Sequence, residues 1–202
     1  HYDGESGIDT LRLDVSSGWT TLNSSYPKSI EMDMVKGEIG QTNNPNNRDT
    51  FTGIENITFI GNFTTFLTGN ATANTIRGGD GIDNINAGSG NDIIFAGKGN
   101  DIVNAGAGDD TVYASLGVDQ EDGGSGVDTF IVEGDFNYTP TIDLKKEKAY
   151  EYGTNPSLVN NKIKNFENVK AITTTNFVII GDDGNNLLEG GSGNDIIYGG
   201  TG

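Results

Sequence analysis

A phrase of nine residues recurs along this chain, and few folds can accommodate so short a period. From Gly69 the sequence divides without a gap into GNATANTIR, GGDGIDNIN, AGSGNDIIF, AGKGNDIVN, AGAGDDTVY, ASLGVDQED and GGSGVDTFI. The run resumes near the end as GDDGNNLLE, GGSGNDIIY and GGTG. The first six positions are rich in Gly, Asp and Asn, a composition suited to a tight turn. Position 8 is apolar in most phrases, as Ile85, Ile94, Val103, Val112 and Phe130. The last three residues make a very short strand with one inward side chain. Turn plus strand on this period predicts a solenoid with two phrases per coil and strands stacked about 4.8 Å apart. Residues eighteen apart then lie directly above one another.

That stacking sorts the position-6 residues onto two edges. Asp83, Asp101 and Asp119 fall on one, and Asn74, Asp92, Asp110 and Asp128 on the other. Carboxylates so close together repel unless a cation lies between them. Calcium suits the chemistry, because it takes six to eight oxygens, including backbone carbonyls that glycine turns can aim inward. Zinc does not, for the chain has no cysteine and a single histidine, His1.

Composition agrees. The chain has 202 residues, 33% of them hydrophobic, with 31 glycines and a net charge of −17. So negative a chain repels a phosphate backbone, which argues against nucleic-acid binding. It also opposes its own compaction unless cations neutralise it. With so thin a core, the repeat is expected to fold only when it binds ions. No apolar run approaches membrane-spanning length. The absence of cysteine excludes a disulfide framework.

A longer repeat sits above the short one. IENI at 54–57 matches FENV at 166–169, and the shift of 112 residues carries Gly69 to Gly181 and Asp83 to Asp195. GIDTLRLD at 7–14 matches GVDTFIVE at 126–133 at a shift of 119. The organisation expected is a linking segment at 1–68, beginning with the end of a preceding repeat block, then a block at 69–131. A second linking segment follows at 132–180, and a second block starts at 181–202. The closing GGTG breaks off inside a phrase, so the chain reads as a segment of a longer repetitive protein. SIEMDM (29–34) and TIDL (141–144) alternate as half-buried strands do. KKEKAYEY (145–152) suits a short exposed strand or turn, and TNNPNNRD (42–49) and GTNPS (153–157) are loop signals. Trp19 reads as a packing residue. No helix is expected beyond a turn or two.

The phrases GGDGIDNIN, AGSGNDIIF, AGKGNDIVN and AGAGDDTVY resemble the GGxGxDxUx nonapeptides of the RTX family of calcium-binding proteins. The resemblance implies an all-β fold, a right-handed parallel β-roll or β-solenoid with irregular strand-containing linking segments. In that family the carbonyls of positions 2 and 4 and the carboxylate of position 6 ligate calcium. Carried over, the metal ligands are Gly79, Gly81 and Asp83; Gly88, Gly90 and Asp92; Gly97, Gly99 and Asp101; Gly106, Gly108 and Asp110. Gly124, Gly126 and Asp128 follow, with Gly191, Gly193 and Asp195 in the second block. The sixth phrase keeps Gly117 and Asp119 but departs at Ser115 and Glu121, and Asn74 and Asn186 replace the acid where each block begins. Glu5, Gly7 and Asp9 occupy the same phrase positions. Ala87, Ala96, Ala105 and Ala114 at position 1 are tolerable if φ is negative there.

The function this implies is a calcium-dependent folding and spacer module of a secreted bacterial RTX protein, exported by the type I route. An adhesin, toxin or surface-layer protein would be its context, outside the cell or at its surface. Its partners would be calcium ions and neighbouring repeat modules, with no nucleic acid and no transmembrane segment. Catalysis has little support, since no HExxH, GxSxG or P-loop occurs. Two alternatives remain at this point: the non-catalytic tail of a secreted protease, lipase or epimerase, and an adhesin module that binds a glycan directly.

Overall fold

The computed structural model describes residues 7–15, 29–42, 46, 48–134, 136–150 and 160–202, and the backbone of 2–3. His1, Glu5, Trp19, GTNPS and part of TNNPNNRD lie outside the described residues. Every regular element among those described is a β-strand, and the strands form two sheets. One has eight strands and is parallel throughout: Thr10–Asp14, Asn56–Ile60, Thr75–Arg77, Ile93–Phe95, Thr111–Tyr113, Thr129–Glu133, Asn168–Ile172 and Leu187–Glu189. The other has thirteen, and its central run is Thr64–Thr68, Asp83–Ser89, Ile102–Ala107 and Gln120–Ser125.

Successive phrases alternate between the sheets. Ile94 pairs with Ile76 and Val112 on one side of the roll, and Val103 pairs with Ile85 and Glu121 on the other. Each step within the block is therefore eighteen residues. Position 8 points inward from both sheets, so that Ile57, Ile76, Ile94, Val112, Phe130 and Val169 meet Leu67, Ile85, Val103 and Ile163 in a fully buried seam. The strands of the thirteen-stranded sheet exceed the expected three residues. Gly106 still pairs with Gly88 and Ala107 with Ser89, so pairing runs on past the short strand into the following phrase. The small methyls of Ala87, Ala96 and Ala105 are wholly buried and permit this close approach. None of these alanines, nor Ala114, has a positive φ.

The linking segments continue both sheets. Asn56–Ile60 bridges Thr10–Asp14 to Thr75–Arg77, and Asn168–Ile172 bridges Thr129–Glu133 to Leu187–Glu189. In the thirteen-stranded sheet each segment inserts an antiparallel meander. The first is Ser29–Asp33, Glu38–Gln41 and Arg48–Thr52; the second is Thr141–Asp143, Lys148–Tyr150 and Asn161–Lys164. Three strands are an odd number, so the third runs in the same direction as the first. The outer members can then pair in parallel with the roll, Ser29–Asp33 with Thr64–Thr68 and Asn161–Lys164 with Gln120–Ser125. An aspartate caps the first turn of each meander. Asp33 accepts the Val35 and Lys36 amides at 3.0 and 2.9 Å, and Asp143 accepts that of Lys146 at 2.9 Å. The turns then pass through a positive φ at Gly37 (64°) and Glu147 (54°).

The two faces of a strand predict opposite mutational outcomes. Ile94 is 0% exposed and its neighbour Ile93 is 41% exposed. In urea denaturation with calcium present, Ile94→Ala is expected to cost about 2–5 kcal/mol. Ile93→Ala is expected to cost well under about 1 kcal/mol. Equal losses would contradict the inward placement of position 8.

Candidate metal centre

The position-6 aspartates sit where each glycine turn runs into its strand, and interstrand hydrogen bonds pin their backbones. The Asp92 carbonyl accepts the Thr111 amide at 2.8 Å, and the Asp101 carbonyl accepts that of Gln120 at 2.9 Å. With the backbone fixed, one carboxylate oxygen of each aspartate takes the amide of the residue one coil earlier. On one edge the Asn74, Asp92 and Asp110 amides donate to Asp92, Asp110 and Asp128 at 2.7–2.8 Å. On the other, the Asp83 and Asp101 amides donate to Asp101 and Asp119 at 2.8 and 2.9 Å. Asp92 and Asp101, nine residues apart, thus belong to opposite edges.

The second oxygen of each aspartate separates the sites. In Asp92, Asp101, Asp110 and Asp128 it is buried and has no hydrogen-bond partner. Asp83 differs, because its oxygens take the Thr65 hydroxyl at 2.6 Å and the Gly79 amide at 2.7 Å. Asp119 differs as well, for its second oxygen takes the Ser115 hydroxyl at 3.0 Å and the Asn161 amide group at 3.1 Å. Asp195 in the second block is half-buried, and its Oδ1 takes the Phe177 amide at 2.9 Å.

The glycines bring backbone carbonyls to the same edges. At Gly97 (φ 109°) and Gly99 (φ 132°) an added Cβ would collide with the carbonyl oxygens of Gly79 and Gly81. The same contact repeats from Gly106 to Gly88, Gly108 to Gly90, Gly124 to Gly106 and Gly126 to Gly108. Carbonyls of positions 2 and 4 therefore stack along each edge with no side chain between them. Gly79 O and Gly97 O each accept one amide, at 2.9 and 3.1 Å, and a carbonyl has a second lone pair. Gly191 (φ 85°) and Gly193 pack in the same way against Thr173 and Thr175. At Gly117 the obstructing atom is Gly99 O.

This donor set suits a hard cation held mainly by backbone. Among the described residues no three Asp, Glu or His side chains are arranged to hold a metal. One or two carboxylates completed by stacked carbonyls match the oxygen-rich, flexible shell of calcium, and a zinc ion would lack its nitrogen and sulfur ligands. An uncompensated buried carboxylate oxygen is costly, so these four oxygens call for a cation or a proton.

Burial sets the electrostatics. It raises Asp92 and Asp101 to about 7, with neighbouring aspartates adding to the rise, against the amide hydrogen bonds that lower them. Asp83 and Asp128 rise to about 6 for the same leading reason. Asp110 and Asp119 are raised too.

Other residues complete the edges, and the nonapeptide pattern alone does not reveal them. Glu167 accepts the Asp128 amide at 2.7 Å where the next coil's aspartate would, and Asn161 accepts that of Asp119 at 3.1 Å. Glu55 does the same for Asp9 at 2.8 Å, and Asp9 Oδ2 is a further buried oxygen without a partner. The signal was present in the 112-residue repeat, which pairs Glu55 with Glu167. Asn74 and Asn186 replace the acid for a donor's reason. Their side-chain amides donate to the Glu55 and Glu167 carbonyls at 2.8 and 3.0 Å, which no carboxylate can do.

Protons and calcium compete for the same oxygens, and the sign follows from the raised values. In the metal-free fold, carboxyls raised by burial favour folding below the unfolded value near 3.8, and this contribution is lost as pH rises through 6–7. Calcium must displace any proton bound there. The number of calcium ions bound per folded chain at a fixed sub-saturating calcium concentration, read by equilibrium dialysis, is expected to fall as pH falls from 8 to about 5.5. Calcium uptake per folded chain that is independent of pH would exclude these carboxylates as the ion's ligands.

Comparison with known proteins bears on the same residues. The sequence model of a known family, described as the RTX calcium-binding nonapeptide repeat in four copies, matches residues 68–103, 96–130 and 178–202. No curated protein matches the chain. The matched blocks of this chain thus carry the RTX calcium-binding nonapeptide repeat, and calcium is the ion that such repeats bind.

Proposed function

We propose that this chain is a calcium-dependent folding and spacer module of a secreted RTX protein, exported by the type I route, of the adhesin, toxin or surface-layer kind. One observation carries the reading. Asp92, Asp101, Asp110 and Asp128 each bury an oxygen that no protein donor reaches. These four carboxylates, with the glycine carbonyls at positions 2 and 4 of their phrases, form the main calcium sites between successive coils. At Asp83 calcium has to share both carboxylate oxygens with protein donors, Asp119 has both of its oxygens taken by them, and Asp195 adds a site in the second block. The repeat blocks at 69–131 and 181–202 act as the ion-dependent units, with 1–68 and 132–180 as the segments that join them.

The net charge of −17 gives this arrangement its direction. At low cytosolic calcium the buried aspartates would be unpaired, and the chain stays unfolded and fit for export. Outside the cell, calcium near the millimolar range saturates sites of the affinity common in extracellular modules. Each bound ion cancels two charges and ties one coil to the next. The work of the module is then folding and spacing, with neighbouring repeat modules as its partners and no catalytic part.

Far-UV circular dichroism of the 202-residue chain tests this. In excess EGTA the strand signal is expected to be absent, and millimolar calcium is expected to restore it. A chain equally structured under both conditions would overturn the reading.

A further inference from the structure

Glu121 stands where the repeat places an aliphatic side chain. It pairs with Val103 on one side and Ile163 on the other, two of the core residues. It is 1% exposed, and neither of its carboxylate oxygens has a hydrogen-bond partner. The register that pairs Glu121 with Val103 sets Asp119 and Asp101, each two residues earlier along the chain, level with one another, and the Asp101 amide donates to Asp119 at 2.9 Å. Residues two apart on an extended chain share a face, which puts Glu121 on the inward face beside Asp119.

The sixth phrase departs from the pattern twice, and the two departures fit together. Ser115 at position 2 brings a hydroxyl that, with Asn161, occupies the second oxygen of Asp119. The first already holds the Asp101 amide. Asp119 is thereby committed to protein donors, while Asp101 Oδ2 beside it has none. Two residues on, the same phrase supplies two unpartnered oxygens from Glu121.

We propose that Glu121 takes over from Asp119 as the carboxylate donor to a calcium ion shared with Asp101, a ligand outside the nonapeptide pattern. A glutamate side chain is one methylene longer than an aspartate's, the extra length needed to serve, from position 8, the edge that the position-6 carboxylate no longer serves. This rests on the calcium sites proposed above. A plain aliphatic at 121 would pack better against Val103 and Ile163, and a buried charge without a partner is strongly disfavoured.

Calcium stoichiometry of the 202-residue chain, measured by titration calorimetry and equilibrium dialysis, decides the matter with E121Q, E121V and D101N. E121V restores the usual aliphatic and keeps the fold, and E121Q keeps the shape without the charge. Each of the three is expected to bind about one calcium fewer than the parent chain, because calcium affinity follows the count of ligand charges. The double variant D101N/E121Q is expected to lose no more than either single one. If E121V binds the parental number of ions with parental affinity, the proposal fails while the calcium reading stands. If the parent chain itself takes up no calcium, both fail.

Discussion

Each inward aspartate of the roll has two oxygens with different tasks, and the rest of the architecture depends on the second. The first is spent on the amide one coil away, which fixes the side chain beside the strand and holds one coil in register with the next. The second, in Asp92, Asp101, Asp110 and Asp128, is buried without a partner in the protein. The glycine turns cannot move aside to solvate it, because their backbones are packed against the carbonyls of the preceding coil. Folding therefore concentrates uncompensated negative charge along two edges of a thin apolar seam. With the stacked carbonyls of successive coils, these oxygens offer an oxygen-rich shell of the kind a divalent cation such as calcium takes.

The linking segments keep the two sheets continuous while changing what happens at their edges. Their antiparallel meanders contain three strands, and that odd count restores the direction the parallel roll requires. Where the roll resumes, Asn74 and Asn186 supply side-chain donors to Glu55 and Glu167 carbonyls, so hydrogen bonds join these coils. Glu167 in turn receives the last amide of the first block's edge, from Asp128. The glutamates and asparagines of the 112-residue repeat thus mark the ends of the stacked aspartate runs. The outer face of the eight-stranded sheet is stabilised independently of them, with Phe95 stacked on Tyr113 at 4.2 Å and Arg77 over the Phe95 ring at 3.6 Å.

Much of this was legible in the order of residues because the period is so short. A nine-residue unit with one apolar position leaves room for one inward side chain per strand, and two units per coil follow from it. The stacking of Asp83, Asp101 and Asp119 on one edge, and of Asp92, Asp110 and Asp128 on the other, is a consequence of that count. The alanines at position 1 were equally readable, since a negative φ accepts a methyl group. Contacts across 39–46 residues were not readable from the nonapeptide pattern, because they join segments of different pattern. Glu55 to Asp9, Asn161 to Asp119 and Glu167 to Asp128 are of this kind.

By itself, then, the sequence determined the repeat, its two-phrase coil, the charge that demands a cation and the oxygen chemistry that selects calcium. All of these depend on spacing and composition, which are local. Tertiary structure alone decided how the linking segments join the roll, since strand direction depends on which partners meet. It also decided which carboxylates keep a free oxygen. Asp101 and Asp119 are alike in the nonapeptide pattern, but Ser115 and Asn161 converge on Asp119 alone, and a hydrogen-bond donor within 3.1 Å is a property of the fold.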